Sequence, residues 1–472
     1  MKKRVRLAAL GMAAAMILGA CSSAGGSGET KQEAGNAQTE GQPSGGSSSG
    51  GSSAGGTELT VWLTPQWKGV FSGTEEGADY DSFFKEAAKR YMESHPDVTI
   101  KVEVIDGSTR DENLSVAQQT NTLPDIMFEG AFTMSSFYHK GAIVPITDLI
   151  TDEDKADISE GIWNNCMIED EIFIYPFFHM PGTLVYNADM FRAAGLDDKV
   201  AGQYEIATWT PDEFVGILEA LKAANPNVYP MALFALNNQA DTWNLAYLRM
   251  FGNQFYSDDN HLVVNEDSGV KALEYILNLY NSGLTVPGAE SLDSNTNNAM
   301  FQNQQIAVSF TNSVLLANLA ADMESGALPA FDYRLANIPG DPHPNGFTYV
   351  TGAMVMNTGD EARIAAAKEF VKYFCTDEEL VTASKNGTPV RASVVSKVSG
   401  ELPYLEAYNK NDQYLFNFSK NLPGYTELRN VLFPELQAAL TGEKTAQQAL
   451  DDYVKNGNAI LDEAKKSSVV YN

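Results

Sequence analysis

Cysteine is scarce in this chain, which has three in 472 residues. Cys21 stands near the N-terminus, whereas Cys166 and Cys375 lie more than two hundred positions apart. A small scaffold held together by many disulfides is therefore excluded. An oxidising compartment would permit a bond between Cys166 and Cys375, but we expect two buried free thiols.

Basic residues are also few, with 32 Lys and Arg against 61 Asp and Glu, for a net charge of −29. This imbalance argues against nucleic acid or anionic lipid as a binding partner. The apolar fraction of 44% and the aromatic fraction of 10% are ample for a packed core. The sequence therefore predicts an acidic globular protein that binds no nucleic acid.

The common catalytic and metal motifs are missing. There is no H-E-x-x-H, G-x-S-x-G or phosphate-binding loop. Residues 82–85 (SFFK) match S-x-x-K without its partner motifs, and residues 293–297 (DSNTN) open like a calcium loop. In that loop Asn298 and Gln304 replace the required Gly and Glu. We predict a non-enzyme with no cofactor and no metal.

Long apolar runs are absent except at the start, where residues 7–20 follow four basic residues. This run of about fourteen residues is too short to span a bilayer, which needs about twenty, and is typical of a secretory signal peptide. It ends in Leu18-Gly19-Ala20-Cys21, which resembles the bacterial lipoprotein cleavage site. The resemblance implies a signal peptide over residues 1–20 and a lipid on Cys21 that anchors the protein to the extracytoplasmic face of the cell membrane.

Large apolar residues are missing from residues 22–56, which consist mostly of Gly, Ser, Ala, Thr, Glu and Gln. Such a segment cannot bury enough surface to offset its ordering entropy. We therefore predict that residues 21–56 are the lipid anchor and a disordered tether, with a reach of about 30–35 Å.

The remainder, from residue 57 on, alternates strand and helix patterns and is long enough for two domains. Thr210-Pro211-Asp212-Glu213 is a capping box with Pro at the first helical position. Further patterns predict strands over 58–64, 98–104, 125–128, 231–234, 306–310 and 349–356, and helices over 81–93, 360–374 and from Thr445 on. The fold class is therefore α/β.

Several short segments, in this order along the chain, carry a family resemblance. Residues 122–126 (TLPDI) precede 186–196 (YNADMFRAAGL) and 208–214 (TWTPDEF), and residues 387–391 (GTPVR) come much later. Together they resemble the family 1 extracellular solute-binding proteins, the maltose-binding-protein-like receptors of ABC sugar importers.

The resemblance implies a periplasmic-binding-protein-like fold of two α/β lobes joined by a hinge that the chain crosses several times. Lobe 1 would hold residues 57–178 and 348–396, and lobe 2 residues 179–347 and 397–472. A monomeric receptor would capture a carbohydrate, an oligosaccharide, in the cleft between the lobes and deliver it to the permease of an ABC transporter. Two alternatives stay open: another polar solute such as a glycerol phosphodiester, polyamine or peptide, and a surface glycan-degrading enzyme.

Candidate ligand residues are aromatic, amide or charged side chains near predicted strand ends or hinge crossings, because ligands of open α/β sheets bind beyond the carboxyl ends of strands. They are Trp62, Gln66, Trp67, Glu129, Phe132, His179, Trp243, Asn244, Asn312, Tyr349, Thr351, Tyr425 and Arg429. The competing interpretation is a core position for Trp62 and Trp243, helix capping or solvent exposure for Glu129, and a hydrogen-bonded hinge histidine for His179. Members of the family commonly carry Gly-x-Trp after the strand that ends near Phe310, but here Thr311-Asn312-Ser313-Val314 follows. We therefore expect Trp243 or Trp67 to supply the stacking surface.

Overall fold

The architecture follows from strands that alternate with helices along the chain. The computed structural model describes residues 56–64, 81–106, 109–398, 400 and 404–469. Its strands are β1 Thr57–Leu63, β2 Val98–Val104, β3 Ile126–Gly130, β4 Met167–Ile168, β5 Glu171–Ile172, β6 Tyr175–Asn187, β7 Ile206–Ala207, β8 Tyr229–Met231, β9 Ile306–Thr311, β10 Tyr333–Ala336, β11 Phe347–Val355 and β12 Thr388–Pro389. Cys21, Gln66 and Trp67 lie outside the described residues, as do the predicted signal peptide and almost all of the predicted tether.

The helices cover both halves of the sheet. They are α1 Ser82–Ser94, α2 Arg110–Gln119, α3 Met134–His139, α4 Asp152–Asp157, α5 Glu160–Asn165, α6 Ala188–Ala193, α7 Pro211–Ala224, α8 Asp241–Leu248, α9 Asp267–Asn281, α10 Ser294–Gln302, α11 Ser313–Glu324, α12 Glu361–Thr376, α13 Glu378–Thr382, α14 Ala392–Val398, α15 Leu405–Asn411, α16 Tyr425–Leu428, α17 Leu432–Leu440 and α18 Ala446–Ser467. None of the described helices is long and apolar enough to span a bilayer.

Ten of the described strands form one mixed sheet with the order β2-β1-β3-β11-β6-β10-β7, to which β9, β8 and β12 also attach, while β4 and β5 pair in a separate two-stranded sheet. Strands β1, β2 and β3 are parallel, so their carboxyl ends lie at the same edge. Strand β11 runs antiparallel to β3 and β6. This arrangement confirms the predicted α/β class.

The thirteen-residue strand β6 connects two parts of the core. Its first half pairs with β11 and β12, and its second half pairs with β9 and β10. At the midpoint, a Cβ on Gly182 would lie 2.2 Å from Cζ of Phe347. Only glycine therefore allows β11 to approach β6 this closely.

The buried apolar residues divide into two large clusters and a smaller one. The first cluster takes its residues from positions 59–178 and 350–398, and the five rings of Phe83, Phe84, Phe128, Phe177 and Phe374 pack against one another within it. The second cluster takes its residues from positions 184–347 and 418–461. Leu184 and Tyr186 of β6 belong to the second cluster, while Phe177 and Phe178 belong to the first.

Local sequence signals explain several element boundaries. Thr210 and Glu213 form the predicted capping box at the start of α7, and Thr445 and Gln448 form another at the start of α18. The strand predicted over 98–104 has the same bounds in the structure. The strand predicted over 231–234 is wrong beyond Met231, because the chain leaves the sheet there and the Ala235 N–H donates to the carbonyls of Ala289 and Leu292.

The cysteine prediction is confirmed, since Cys166 and Cys375 are both buried and free. Burial raises the pKa of each thiol, so neither is a thiolate at neutral pH. Asp293, which opens the calcium-like segment, instead caps α10 by accepting a hydrogen bond from the backbone N–H of Thr296 at 2.7 Å.

Candidate functional site

Glu129 lies at the carboxyl end of β3, where the parallel strands present their termini. Its side chain is buried, and Oε2 accepts a hydrogen bond of 2.6 Å from Oγ1 of Thr64, which directly follows β1. Oε1 accepts a bond of 2.8 Å from the backbone N–H of Gly130. Nη1 of Arg110, at the start of α2, lies 3.6 Å from Oε2. The strand ends thus bring a carboxylate, a hydroxyl and a guanidinium together.

A second ion pair joins Asp241, the first residue of α8, to Arg429, which directly follows α16. Asp241 is almost fully buried, and its carboxylate accepts two bonds from Arg429, from Nε at 2.7 Å and from Nη2 at 2.9 Å. Nη2 also donates to the carbonyl of Asn238 at 2.8 Å. Burial alone would lower the pKa of Arg429, but the Asp241 carboxylate outweighs it and holds the pKa above its ordinary value. The guanidinium is therefore permanently charged.

The ring of Phe132 lies between the two pairs. The guanidinium carbon of Arg110 is 5.5 Å from the ring centroid, and that of Arg429 is 5.6 Å from it. The Tyr349 ring stands edge-on to Phe132 at 6.3 Å, and its hydroxyl forms a hydrogen bond with Oγ1 of Thr242. We call the resulting group the paired-charge cluster, which consists of Arg110, Glu129, Phe132, Asp241, Tyr349 and Arg429.

Three other candidates lie next to this cluster. Thr351 of β11 is buried and pairs with Gly130 of β3. Tyr425 begins α16 and borders a small cavity of about 30 Å³ that Phe132 and Tyr349 also line. His179 of β6 is buried, and its Nδ1 forms a hydrogen bond of 3.0 Å with Oγ1 of Thr348. Burial lowers the pKa of His179 to about 3, so this imidazole is neutral at physiological pH.

Two of the candidate residues form hydrogen bonds with residues outside the cluster. Nε1 of Trp62 donates to Glu103 on the neighbouring strand at 2.8 Å. The side chain of Asn312 caps α11 by accepting hydrogen bonds from the N–H groups of Val314 and Leu315. Ligand contact by these residues stays a prediction.

Trp243 and Asn244 lie on α8, immediately after Asp241. Trp243 is buried against Phe310 and Phe347 at centroid distances of 4.7 and 4.9 Å, and its Nε1 donates to the carbonyl of Thr183. Nδ2 of Asn244 donates to the carbonyl of Phe234. Both side chains are thus held within the protein, and the stacking platform predicted at Trp243 stays a prediction.

Sequence reasoning missed the two residues that complete the ion pairs, Arg110 and Asp241. Arg110 opens the helix after β2, so the rule that points to the carboxyl ends of parallel strands, applied to β2 as well as β3, would have found it. Asp241 precedes Trp243 by two positions, but its partner Arg429 is 188 positions away. No local pattern connects residues so distant.

The cluster offers oxygen acceptors, charged N–H donors and aromatic rings on a rigid frame. Because two guanidinium groups face two carboxylates, it carries no net charge. This combination suits a solute with many hydroxyl groups, which can both donate to carboxylates and accept from guanidinium groups. In the described part of the chain no three His, Cys, Asp or Glu side chains are grouped as a metal site would require.

Comparison with known proteins identifies the family of this chain. Residues 74–380 match the family described as bacterial extracellular solute-binding protein. The sn-glycerol-3-phosphate-binding periplasmic protein UgpB of Salmonella typhimurium is 25% identical over 87% of this chain and 95% of its own length.

Two solved structures share the fold. The cyclic alpha-maltosyl-1,6-maltose binding protein of Arthrobacter globiformis has a TM-score of 0.70 and 22% identity, covering 87% of this chain and 100% of that one. The GacH receptor of Streptomyces glaucescens, solved unliganded and with acarbose, has a TM-score of 0.68 and 16% identity, covering 87% of this chain and 100% of that one. The chain belongs to the bacterial extracellular solute-binding protein family.

Proposed function

We propose that this protein is a lipid-anchored extracytoplasmic receptor that captures a carbohydrate and delivers it to the permease of an ABC importer. The ligand would bind between lobe 1, residues 57–178 and 348–396, and lobe 2, residues 179–347 and 397–472. The separate first and second clusters support this division, since their residues come from nearly the same two sets of positions. Closure of two lobes around a ligand is a common motion in binding proteins.

The observation that carries the carbohydrate proposal is the paired-charge cluster. Phe132 and Tyr349 offer apolar ring surface for the C–H faces of a sugar, and Glu129 and Arg110 offer acceptors and donors for its hydroxyls. Each of the two guanidinium groups already faces a carboxylate, at 3.6 Å for Arg110 and 2.7 Å for Arg429. A neutral ligand therefore meets complementary groups without uncompensated charge.

Similar proteins support the same ligand class and one alternative. The Arthrobacter globiformis and Streptomyces glaucescens proteins are named or solved with saccharides or a saccharide analogue. UgpB of Salmonella typhimurium is named for sn-glycerol 3-phosphate. A glycerol phosphodiester or another polar solute is therefore the second candidate. That ligand would bring a negative charge to a cluster with no net positive charge.

A thermal-shift panel of mono- and oligosaccharides tests the proposal on the protein lacking residues 1–21. A ligand that binds only the folded state stabilises it by about 2.7 kcal/mol at a hundredfold excess over Kd. At least one neutral saccharide should raise Tm with increasing concentration and be recovered chemically unchanged. Turnover of the saccharide would instead support the glycan-degrading enzyme, and no shift with any saccharide would contradict the proposal.

Anchoring rests on Leu18-Gly19-Ala20-Cys21 and is tested separately. The full-length chain expressed in a bacterial host should carry lipid on Cys21 and fractionate with membranes. The Cys21→Ser variant should lose the lipid and appear in the soluble extracytoplasmic fraction. Mass spectrometry of a released, unmodified wild-type N-terminus would contradict the anchor.

A further inference from the structure

The C-terminal end of α18 extends from the second cluster to a helix of the first. Leu450, Tyr453 and Leu461 of α18 are buried in the second cluster. Met134 and Phe137 of α3 are buried in the first cluster. The structure thus contains a contact between the clusters at the far end of the last helix.

Two residues just past α18 make this contact, and both touch the last residue of α3. Ser468 is only 2% exposed, and its Oγ lies 2.8 Å from Nδ1 of His139. The backbone N–H of Val469 donates to the carbonyl of His139 at 3.0 Å. The last carbonyls of a helix have no partner within the helix. Ser468 and Val469, which we call the tail, therefore cap the C-terminal end of α3 although they belong to a different part of the chain.

The neighbouring helices do not fill the space beside this contact. A cavity of about 340 Å³ opens next to it, lined by Ser136 and Lys140 on one side and by Ile460 and Ala464 of α18 on the other. Pro423 and Gly424, which precede α16, line the same cavity, so that segment also lies between α3 and α18 here. The tail residues join α18 to α3 directly, at His139.

The contact with the tail is at the C-terminal end of α3, and Phe132 of the paired-charge cluster lies just before its N-terminal end. A 3₁₀ turn over Ala131–Thr133 runs directly into α3, so Phe132 and His139 belong to one continuous helical segment. At about 1.5 Å per residue, the two side chains sit roughly 10 Å apart along the axis. Phe132 and Tyr349 both pack against the second cluster, so fixing His139 to the tail adds a second restraint on the position of Phe132 relative to Arg429 and Tyr349.

We propose that Ser468 and Val469 are positioning residues that hold Phe132 against Arg429 and Tyr349, and so set the affinity of the site without contacting the ligand. This inference rests on the proposed function for its effect on affinity. The coupling of the tail to Phe132 does not depend on which ligand binds.

A double-mutant cycle tests the coupling without any ligand. Urea unfolding is measured for Ser468→Ala, Phe132→Leu and the double variant. Residues this far apart are normally independent, whereas coupled residues deviate from additivity. We expect the unfolding constant of the double variant to differ by threefold or more from the additive value. The matched control is Ser467→Ala, because within the described residues Oγ of Ser467 bonds only to the carbonyls of Glu463 and Ala464 in its own helix. Its cycle with Phe132→Leu should be additive.

Calorimetry with the saccharide that gives the largest shift in the panel supplies the second readout. Ser468→Ala should weaken its binding by about threefold to tenfold, the effect of one lost hydrogen bond. Ser468→Thr should restore binding, and Ser468→Ala should have no further effect in the Phe132→Leu background. An additive cycle, or unchanged affinity in Ser468→Ala, overturns the inference. If no saccharide binds, the proposed function fails while the urea cycle still decides the coupling.

Discussion

The two ion pairs on either side of Phe132 have the same chemistry but different geometry. Arg429 holds Asp241 by two short bonds of 2.7 and 2.9 Å and also donates to Asn238. The closest approach of Arg110 to Glu129 is longer, 3.6 Å from Nη1 to Oε2, and Glu129 also accepts hydrogen bonds from a hydroxyl and a backbone N–H. A bidentate pair has little capacity for further partners, whereas a loose one can exchange its contacts for a ligand. We therefore infer that Asp241 and Arg429 form the frame and that Glu129 is the adaptable contact.

The largest expected effect is a loss of stability at Trp243, which lies on the same helix as the frame residue Asp241. Trp243→Ala removes a buried ring that packs against Phe310 and Phe347, so the free energy of unfolding should fall by about 3–5 kcal/mol. Trp243→Phe keeps most of the packing and should lose less. Urea denaturation measures both. A Trp243→Ala variant whose free energy of unfolding lies within about 1 kcal/mol of wild type would contradict a structural role for this part of α8.

The next effect concerns Asp241 itself. Asp241→Asn leaves the Arg429 guanidinium partly buried and uncompensated, and breaking such a pair costs about 3 kcal/mol of unfolding free energy. The control is Asp189→Asn, which breaks the exposed pair with Arg192 and should cost less than about 1 kcal/mol. Equal losses in the two variants would show that the Asp241 pair is not a frame.

A smaller stability effect, with a clear effect on binding, is expected at Glu129. Glu129→Gln keeps the shape but removes the charge that strengthens a hydrogen bond to a sugar hydroxyl, so affinity should fall about tenfold while stability changes by about 1 kcal/mol. Glu58→Gln, in an exposed pair with Lys101, serves as the control and should change neither. Calorimetry and urea unfolding give the two values, and a stability loss matching that of Asp241→Asn would erase the contrast between the pairs.

The smallest effect is expected at an exposed group of three residues, His261 with Asp259 and Asp462. His261 lies 2.9 Å from Asp259 and 3.1 Å from Asp462, and its hydrogen bonds with Asp462 and Asp259 raise its pKa above 6.5. A group whose pKa is raised on folding stabilises the protein below its unfolded pKa and loses that effect as pH rises through the folded pKa.

The Tm difference between wild type and His261→Gln should therefore be positive at pH 5.5 and shrink toward zero by pH 8.5. A difference that grows with pH would reverse the assigned sign. Differential scanning calorimetry measures Tm across this range. We expect these exposed charges to contribute much less to stability than the buried pair of Asp241 and Arg429.

Local patterns predicted the fold well because they are encoded within a few residues. The alternation of Val98, Ile100 and Val102 and the capping boxes at Thr210 and Thr445 each specify an element without distant contacts. The strand beyond Met231 was wrong because long-range bonds from Ala235 draw the chain out of the sheet. Tertiary contacts override local preference in such places.

The site was only partly predictable for the same reason. Glu129 ends a run of apolar strand residues, which the sequence shows, but its neighbours Thr64 and Arg110 come from the end of β1 and the start of α2. An aromatic residue gives no sign in sequence of which way it faces. Trp243 is buried among rings, whereas Phe132 lies between two guanidinium groups. Only the packing of the chain separates these two environments.

The central claim is that two compensated pairs make the site selective for a neutral saccharide. Calorimetric titration of the wild-type protein with neutral oligosaccharides and, separately, with sn-glycerol 3-phosphate tests it most directly. The account predicts saturable binding of at least one neutral oligosaccharide and none of the phosphate ester. Saturable binding of sn-glycerol 3-phosphate, with no neutral saccharide bound, would contradict it.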